Sequence, residues 1–254
     1  MIQFEDAIRT IETDRIGSLD TSAFSRGDVL NLILQRSEII SDQPNPGRLI
    51  KAWTAGQDQP LLDLIDKIGE ETIIRRAAAL ILLEYEELRP IFEKAPPRAV
   101  TDIGCGYALF DLFLAQDFKS KLTLIDLETN DERHFGFEES GAAYSNLDVA
   151  ARFLNANGIA KSRIKTVNPA VKSPDRLRGQ DLVVSFISCG FHYPWSTYAV
   201  FFRDAVAPGG RIILDIRRRS AERAKAELAA LGDVEELDAG FASKAVRVMV
   251  TRKG

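Results

Sequence analysis

The ten residues RAVTDIGCGY, at positions 98–107, decide the fold of this chain. Ala99–Ile103 is a short apolar run of the kind that forms a buried β-strand. Asp102 lies near its end, and Gly104 and Gly106 follow it, separated by one residue. Glycine adopts backbone angles closed to other residues and lets a neighbouring group approach the main chain. The stretch therefore predicts a strand followed by a tight turn, made either for a bound ligand or for an ordinary passage into a helix.

Strand-like and helix-like segments alternate downstream of this turn. Further strands are predicted at Leu122–Leu127, Ile164–Val167, Asp181–Ile187 and Arg211–Ile216, and helices at Leu109–Gln116, Asn146–Asn157, Trp195–Ala205 and Ser220–Leu231. Such alternation indicates βαβ units and a mostly parallel, doubly wound α/β sheet of Rossmann-like type. Two last segments, Val234–Leu237 and Ala245–Thr251, predict a terminal hairpin, which places antiparallel pairing at the sheet edge.

The region before the turn has a helical pattern of apolar residues. Apolar residues recur at helical spacing, for example at Leu61, Leu64 and Ile68, and Pro96-Pro97 closes the helical pattern because proline lacks a backbone donor. We therefore divide the chain into a helical N-terminal extension or cap at 1–95 and a ligand-binding domain at 96–254. The extension is a lid, a substrate-binding cap, a homodimer surface or simply a packing layer.

Composition narrows the class of protein. The 254 residues include 45% hydrophobic and 28% charged residues, with a net charge of −4, which is typical of a globular protein without attraction to nucleic acid. Cys105 and Cys189 are the only cysteines, so a disulfide framework is not expected and a reducing cytoplasm is favoured. No signal peptide and no membrane span are predicted.

A second feature strengthens the ligand interpretation of the glycine turn. Asp126 ends the second predicted strand, 20 residues after Gly106. A carboxylate at that position can accept hydrogen bonds from both hydroxyls of a ribose. Dinucleotide sites usually carry a third glycine, and Leu109 occupies that position here. A nucleoside with a short charged amino-acid tail fits better, because Asp102 can face an ammonium or sulfonium cation.

Four motifs, in order, resemble those of the class I S-adenosylmethionine-dependent methyltransferases. They are Asp102-Ile-Gly-Cys-Gly-Tyr-Ala, Leu124-Ile-Asp-Leu, Asp181-Leu-Val-Val-Ser-Phe and Val206-Ala-Pro-Gly-Gly-Arg-Ile-Ile-Leu-Asp. The resemblance covers residues 96–254 and implies seven strands, the last antiparallel, with S-adenosylmethionine as cofactor. The cofactor-binding residues that it implies are Asp102, Gly104, Cys105, Gly106, Asp126, Leu127, Asn168 and Ser185, with Asp126 on the ribose and Asn168 at the adenine.

The loop after the fourth strand, Ser185–Trp195, is the densest chemical cluster of the chain. His192 is the preferred general base, because histidine titrates near neutral pH. The alternative interpretation is that His192 has only a structural hydrogen-bonding role. Candidate walls of a substrate pocket are Phe191, Tyr193 and Trp195. The long insertion after Asp126 adds His134 as a second candidate base and Tyr144 as a pocket residue, and it can close over the site as a lid.

Two weaker features concern the methyl acceptor. The phrase Gly141-Ala-Ala-Tyr-Ser-Asn-Leu is similar to bacterial methyltransferases that act on sugars and surface polysaccharides. The basic run Arg217–Arg219 either meets an anionic substrate or is a solvated cluster. No metal site is predicted, because Asp215 lacks a second acid pointing to the same edge.

These features together predict an S-adenosylmethionine-dependent methyltransferase that methylates a hydroxyl of a small molecule or glycan. The competing interpretations are an NAD(P)-dependent oxidoreductase and a non-catalytic relative that binds a nucleoside or a partner protein. An RNA methyltransferase is a further alternative, which the acidic balance disfavours.

Overall fold

The computed structural model describes residues 2–128, 145–238 and 244–254. The first part of the chain is helical. Its helices are α1 (Phe4–Ile11), α2 (Asp14–Gly17), α3 (Arg26–Gln35), α4 (Pro46–Thr54), α5 (Gln59–Ile68) and α6 (Glu70–Lys94). Local chemistry fixes where some of these helices begin. Ser25 and Asp28 form a reciprocal capping box at the N-terminus of α3, and Pro46 occupies the first turn of α4.

The second part of the chain alternates strands and helices. Its strands are β1 (Ala99–Ile103), β2 (Lys121–Ile125), β3 (Ile164–Val167), β4 (Gln180–Ser185), β5 (Val206–Arg217), β6 (Gly232–Leu237) and β7 (Ala245–Arg252). Its helices are α7 (Leu109–Phe118), α8 (Leu147–Ala156), α9 (Ala199–Ala205) and α10 (Ala221–Leu228). Asn146 caps α8 by accepting from the N–H groups of Asp148 and Val149.

The seven strands form a single sheet with the order β3-β2-β1-β4-β5-β7-β6. Strands β1 to β5 are parallel, and β7 runs antiparallel to both β5 and β6. The predicted doubly wound sheet with an antiparallel last strand is confirmed. The terminal hairpin is also confirmed, but β7 inserts beside β5, so β6 forms the outer edge.

Some predicted boundaries differ from the structure. The predicted helix at Trp195–Ala205 is a 3₁₀ turn at Trp195–Tyr198 followed by α9. Strand β5 begins at Val206, five residues before the predicted start, because a register shift lets Val206 pair with Gln180 ahead of Arg211. Strand β2 ends at Ile125, which leaves Asp126 and Leu127 beyond its carboxyl end.

Two hydrophobic cores cover the two faces of the sheet. The larger core joins the N-terminal helices to the face that carries Val100, Leu182 and Ile213. The smaller core packs α9 and α10 against the opposite face, which carries Ile103 and Val183. Successive residues of β4, such as Leu182 and Val183, enter opposite cores, as the twofold period of a strand requires. None of the helices in the described ranges combines the length and apolar character needed to cross a membrane.

Candidate functional site

The glycine turn follows β1, leads into α7 and is hydrogen-bonded to the carboxyl end of β2. Gly104 and Gly106 have φ angles of 75° and 56°, in the left-handed region that glycine enters without a steric cost. The Gly104 N–H donates to the carbonyl of Ile125 at 2.7 Å, and the Gly106 N–H donates to Oδ2 of Asp126 at 2.9 Å. The turn is therefore held against the end of the second strand, and Asp126 is part of its support.

Protein side chains lie directly against both glycines. A Cβ atom on Gly104 would lie 2.0 Å from Oγ of Ser188, and one on Gly106 would lie 2.7 Å from Oε1 of Gln35. Real Cβ atoms do not approach other atoms so closely, so packing against Ser188 requires glycine at position 104. At position 106 the end of the flexible Gln35 side chain can move aside, and the positive φ angle is the stronger constraint. Packing and the positive φ angles together explain both glycines, and the turn needs no ligand to explain its composition.

Helix α3 lies over the glycine turn, which the sequence analysis did not predict. The hydroxyl of Tyr107 donates to Oδ1 of Asp28 at 2.8 Å and accepts from the side-chain amide of Asn31 at 3.1 Å. Asp28, Asn31 and Gln35 are spaced by three and four residues, which places them on one face of the helix. In the sequence, these three polar residues interrupt the apolar run of α3. Their spacing could have predicted that this helix packs against a polar site.

Asp126 lies just beyond the carboxyl end of β2, whereas the sequence predicted it inside the tip of that strand. Its Oδ1 accepts from the hydroxyl of Ser145 at 2.6 Å and from the N–H of Glu128 at 3.2 Å, while Oδ2 accepts from Gly106. Burial raises the pKa of this carboxyl above its ordinary value, although these donors act in the opposite direction. Leu127 next to it is 42% exposed, which leaves an apolar surface at the rim of the site.

Asp102 faces a second carboxyl group, that of Asp111 in the first turn of α7. The two residues are only 4% and 1% exposed. Within the described ranges, no other residue donates a hydrogen bond to either oxygen of Asp111 or to Oδ1 of Asp102. Burial raises the pKa of both groups, to about 6 for Asp111, and the neighbouring carboxylates of Asp111 and Asp126 raise that of Asp102 further. Three of the four carboxyl oxygens of this pair are therefore buried without a partner in the part of the chain that the structure describes.

Cys105 sits inside the same acidic environment. Burial, and then the charges of Asp126, Asp102 and Asp111, raise the pKa of its thiol well above the ordinary value. A thiol with a raised pKa stays protonated and is a poor nucleophile. Cys105 is therefore a partly buried packing residue of the turn and is poorly suited to act as a nucleophile.

Asn168 lies where its adenine role was predicted, at the end of β3, but its amide is already used. Its Nδ2 donates to the carbonyl of Leu127 at 3.1 Å and to Oε2 of Glu128 at 2.9 Å. Its Oδ1 accepts from the N–H of Ala170. Asn168 thus ties the loop after β2 to the loop after β3 and shapes the rim through Leu127.

The loop after β4 meets the glycine turn from the other side. Ser185 is fully buried, and its hydroxyl donates to the carbonyl of Ile103 at 2.6 Å and accepts from the N–H of Cys189 at 2.9 Å. These bonds join β4 to β1 and give Ser185 a structural role. Ser188, at the contact with Gly104, also lies 3.4 Å from the hydroxyl of Tyr193. Ser188 is thus a site residue that the sequence analysis missed.

The remaining residues of this loop divide between its two sides. His192 is half-buried. Its backbone N–H donates to the carbonyl of Ser188 at 2.8 Å, and its ring contacts the ring of Phe191. Arg217 stacks on the ring of Phe191 at 4.6 Å. Tyr193 and Trp195 both pack against the smaller core, and the indole N–H of Trp195 donates to Glu227 on α10 at 2.9 Å. Backbone hydrogen bonds therefore hold Phe191 and His192 to Ser188, the Tyr193 hydroxyl lies near the Ser188 side chain, and Trp195 is anchored to α10.

Two predicted site residues, His134 and Tyr144, lie outside the described residues, as does most of the insertion after Asp126. Within the described ranges, no group of three or more metal-ligating side chains is assembled. Asp215 forms a buried two-bond ion pair with Arg247, at 2.7 and 2.9 Å, on the neighbouring strand. Its carboxylate is committed to the sheet.

Comparison with solved structures identifies the fold. A protein assigned as an O-methyltransferase, from Nostoc punctiforme PCC 73102, is 16% identical, and the match covers 97% of this chain and 72% of that one, with a TM-score of 0.50. The chain has the class I methyltransferase fold. The S-adenosylmethionine-dependent methyltransferase SibL, in its apo form, is 17% identical over 89% of this chain and 74% of its own, with a TM-score of 0.52. No family model and no curated protein matches the sequence.

Proposed function

We propose that this protein is an S-adenosylmethionine-dependent methyltransferase that transfers the methyl group to a hydroxyl of a small molecule or glycan. The observation that carries the proposal is the carboxylate cluster at the glycine turn. Asp102, Asp111 and Asp126 lie at the ligand-binding end of a class I methyltransferase sheet, and the charged groups that act on Asp102 are carboxylates. A cation is the ligand that such a cluster stabilises most.

The residues present fit the parts of S-adenosylmethionine. Asp102 would hold the ammonium of its methionine part, because its Oδ1 is buried without a donor. Asp126 would accept from one ribose hydroxyl through the lone pair left on its Oδ2, and from the other through Oδ1 once the Ser145 hydroxyl turns away. Leu127 offers its exposed side chain to the adenine, with Asn168 fixing the loop beneath it. When bound, this cofactor supplies an electrophilic methyl group on a sulfonium.

The loop after β4 would provide the acceptor side. Ser188 lies against Gly104, so this loop reaches the turn beside which the cofactor would lie. His192, four residues further along, would take the proton of the acceptor hydroxyl, and Phe191 and Tyr193 would flank an apolar or sugar ring. Arg217 stacks on Phe191 and would orient an acidic group on the acceptor.

The first test is calorimetric titration with S-adenosylmethionine and with S-adenosylhomocysteine. We expect micromolar binding by the wild-type protein and a loss of at least ~10-fold (about 1.4 kcal/mol) in Asp126→Asn. This variant keeps one acceptor for the Gly106 N–H and removes the second acceptor that a ribose diol needs. Asp233→Asn, whose side chain is 80% exposed on β6, is the charge-matched control and should bind like the wild type.

The outcomes separate the candidate functions. Absence of binding to both ligands would refute the proposal, and a titration with NADH would then examine the oxidoreductase alternative. If the cofactor binds, transfer of labelled methyl groups to a panel of glycans and phenols comes next. We expect His192→Gln to keep the cofactor affinity and to lose at least ~100-fold in turnover. Equal turnover by this variant would remove His192 from the mechanism.

A further inference from the structure

Asp111 is the one residue of the carboxylate cluster to which the proposed function assigns no contact with the cofactor. It lies in the apolar run Leu109–Ala115 of α7, where every residue is buried. A carboxylate buried in such a segment costs several kcal/mol unless it is paired or protonated. Among the described residues Asp111 has no ion-pair partner, and no side chain donates to either of its oxygens. A purely structural position would favour alanine or leucine here.

The neighbour of Asp111 is Asp102, and the two carboxyl groups lie within hydrogen-bonding reach of each other. Two carboxylates so close in a low dielectric do not both ionise, and they share a proton instead. The other titratable groups around this pair are Asp126 at the end of β2 and the thiol of Cys105. Neither group can supply a positive charge, so the proton alone relieves the repulsion between the carboxylates.

We propose that Asp102 and Asp111 act together as a proton-exchanging clamp for the cofactor's ammonium group, with Asp111 as its second carboxylate. This inference rests on the proposed function and adds a residue to it. In the free protein the pair carries one proton and one negative charge. The ammonium takes the place of the shared proton, forms charge-assisted hydrogen bonds to the carboxylates, and the displaced proton leaves to solvent. No covalent bond is formed or broken in this exchange apart from the O–H bond of the departing proton.

The exchange has a measurable sign. Because binding releases a proton, the affinity for the cofactor must rise with pH while the free pair remains protonated. A full exchange changes the association constant by about tenfold per pH unit. Measurements between about pH 6 and pH 7 avoid titration of the cofactor's own amino group, whose ordinary pKa is about 8.

The experiment is calorimetry of S-adenosylhomocysteine binding in buffers with different ionisation enthalpies, which counts the protons released. We expect the wild-type protein to release about one proton per ligand near pH 6.5. Asp111→Asn should release less than half as much, because its amide can donate to Asp102 without a proton to exchange. Asp233→Asn should match the wild type, and circular dichroism should show that each variant is folded.

A second ligand isolates the ammonium group. 5′-Methylthioadenosine has the adenine and ribose but lacks the amino-acid tail, so its binding should release little proton and should be unchanged in Asp111→Asn. If S-adenosylhomocysteine binds the wild-type protein without proton release, the clamp is refuted while the proposed function stands. The clamp is equally refuted if Asp111→Asn releases as many protons as the wild type. If neither nucleoside binds, the proposed function itself fails.

Discussion

At Gly104, a single hydrogen atom in place of a side chain decides whether two loops can meet. The residue combines a left-handed backbone with direct contact by the Ser188 side chain. Each constraint alone disfavours any other residue, and together they make the position intolerant of substitution. The same contact brings the loop that carries His192 to the turn that carries Asp102.

The two constraints at Gly104 can be separated by a matched substitution. Gly158 also has a positive φ, of 90°, but no atom lies within 4 Å of a Cβ built there. Gly158→Ala should cost about 1–2 kcal/mol, which is the backbone term alone. Gly104→Ala should cost at least ~2 kcal/mol more, because Ser188 must move. Urea unfolding measures both variants, and equal losses would show that the Ser188 contact does not constrain the turn.

At the scale of elements, buried charges tie the helical region to the sheet. Arg36, directly after α3, forms two hydrogen bonds to Glu84 on α6, at 2.8 and 2.9 Å. Arg247 on β7 lies 3.9 Å from Glu84 and is paired with Asp215 on β5. The side chains of Glu84, Arg247 and Asp215 are at most 4% exposed. The chain of charges thus fixes where α3 ends relative to the sheet, and with it the position of Gln35 above Gly106.

Breaking this chain of charges should cost far more than breaking a surface pair. Arg36→Met leaves Glu84 buried with only its distant contact to Arg247, so we expect a loss of about 3 kcal/mol in the free energy of unfolding. Arg26→Met removes the pair between Arg26 and Asp66, whose side chains are 42% and 58% exposed, and should cost no more than about 1 kcal/mol. Chemical denaturation compares the two variants, and similar losses would contradict a stabilising role for the buried pair.

At the scale of the whole molecule, the N-terminal helices and the sheet share one hydrophobic core. Tyr85 and Phe92 of α6 are fully buried in the same cluster as Val100 and Leu182 of the sheet. Removing residues 1–95 would expose this face of the sheet to water. Burial of apolar area is the main favourable term in folding, so the helical region contributes to the stability of the sheet.

This shared core predicts the behaviour of a truncated chain. Residues 96–254 expressed alone should show no cooperative thermal transition, whereas the complete chain should unfold in a single transition by calorimetry and by circular dichroism. The measurement also examines the proposed division at residue 95. Two separate transitions in the complete chain, together with a cooperative transition in the fragment, would establish two independent domains.

Much of the fold could be predicted from local patterns. The strands β1 and β3 were predicted with their observed bounds, because their β-type runs end in clear turns. The start of β5 was missed because a proline and two glycines, at Pro208–Gly210, resemble a loop, although the ladder to β4 continues around them. Boundaries of this kind depend on a partner strand, which no local pattern shows.

The sequence by itself determined the order of elements, the glycine turn and the acids at the carboxyl ends of β1 and β2, since periodicity and turn chemistry are local properties. Only the tertiary structure placed α3 over the turn, Ser188 against Gly104 and Asp111 opposite Asp102. Gln35 contacts Gly106 although the two residues are 71 positions apart in the sequence (106 − 35 = 71). Such contacts follow from how helices pack on a sheet face, and packing is decided by all the side chains of the core together.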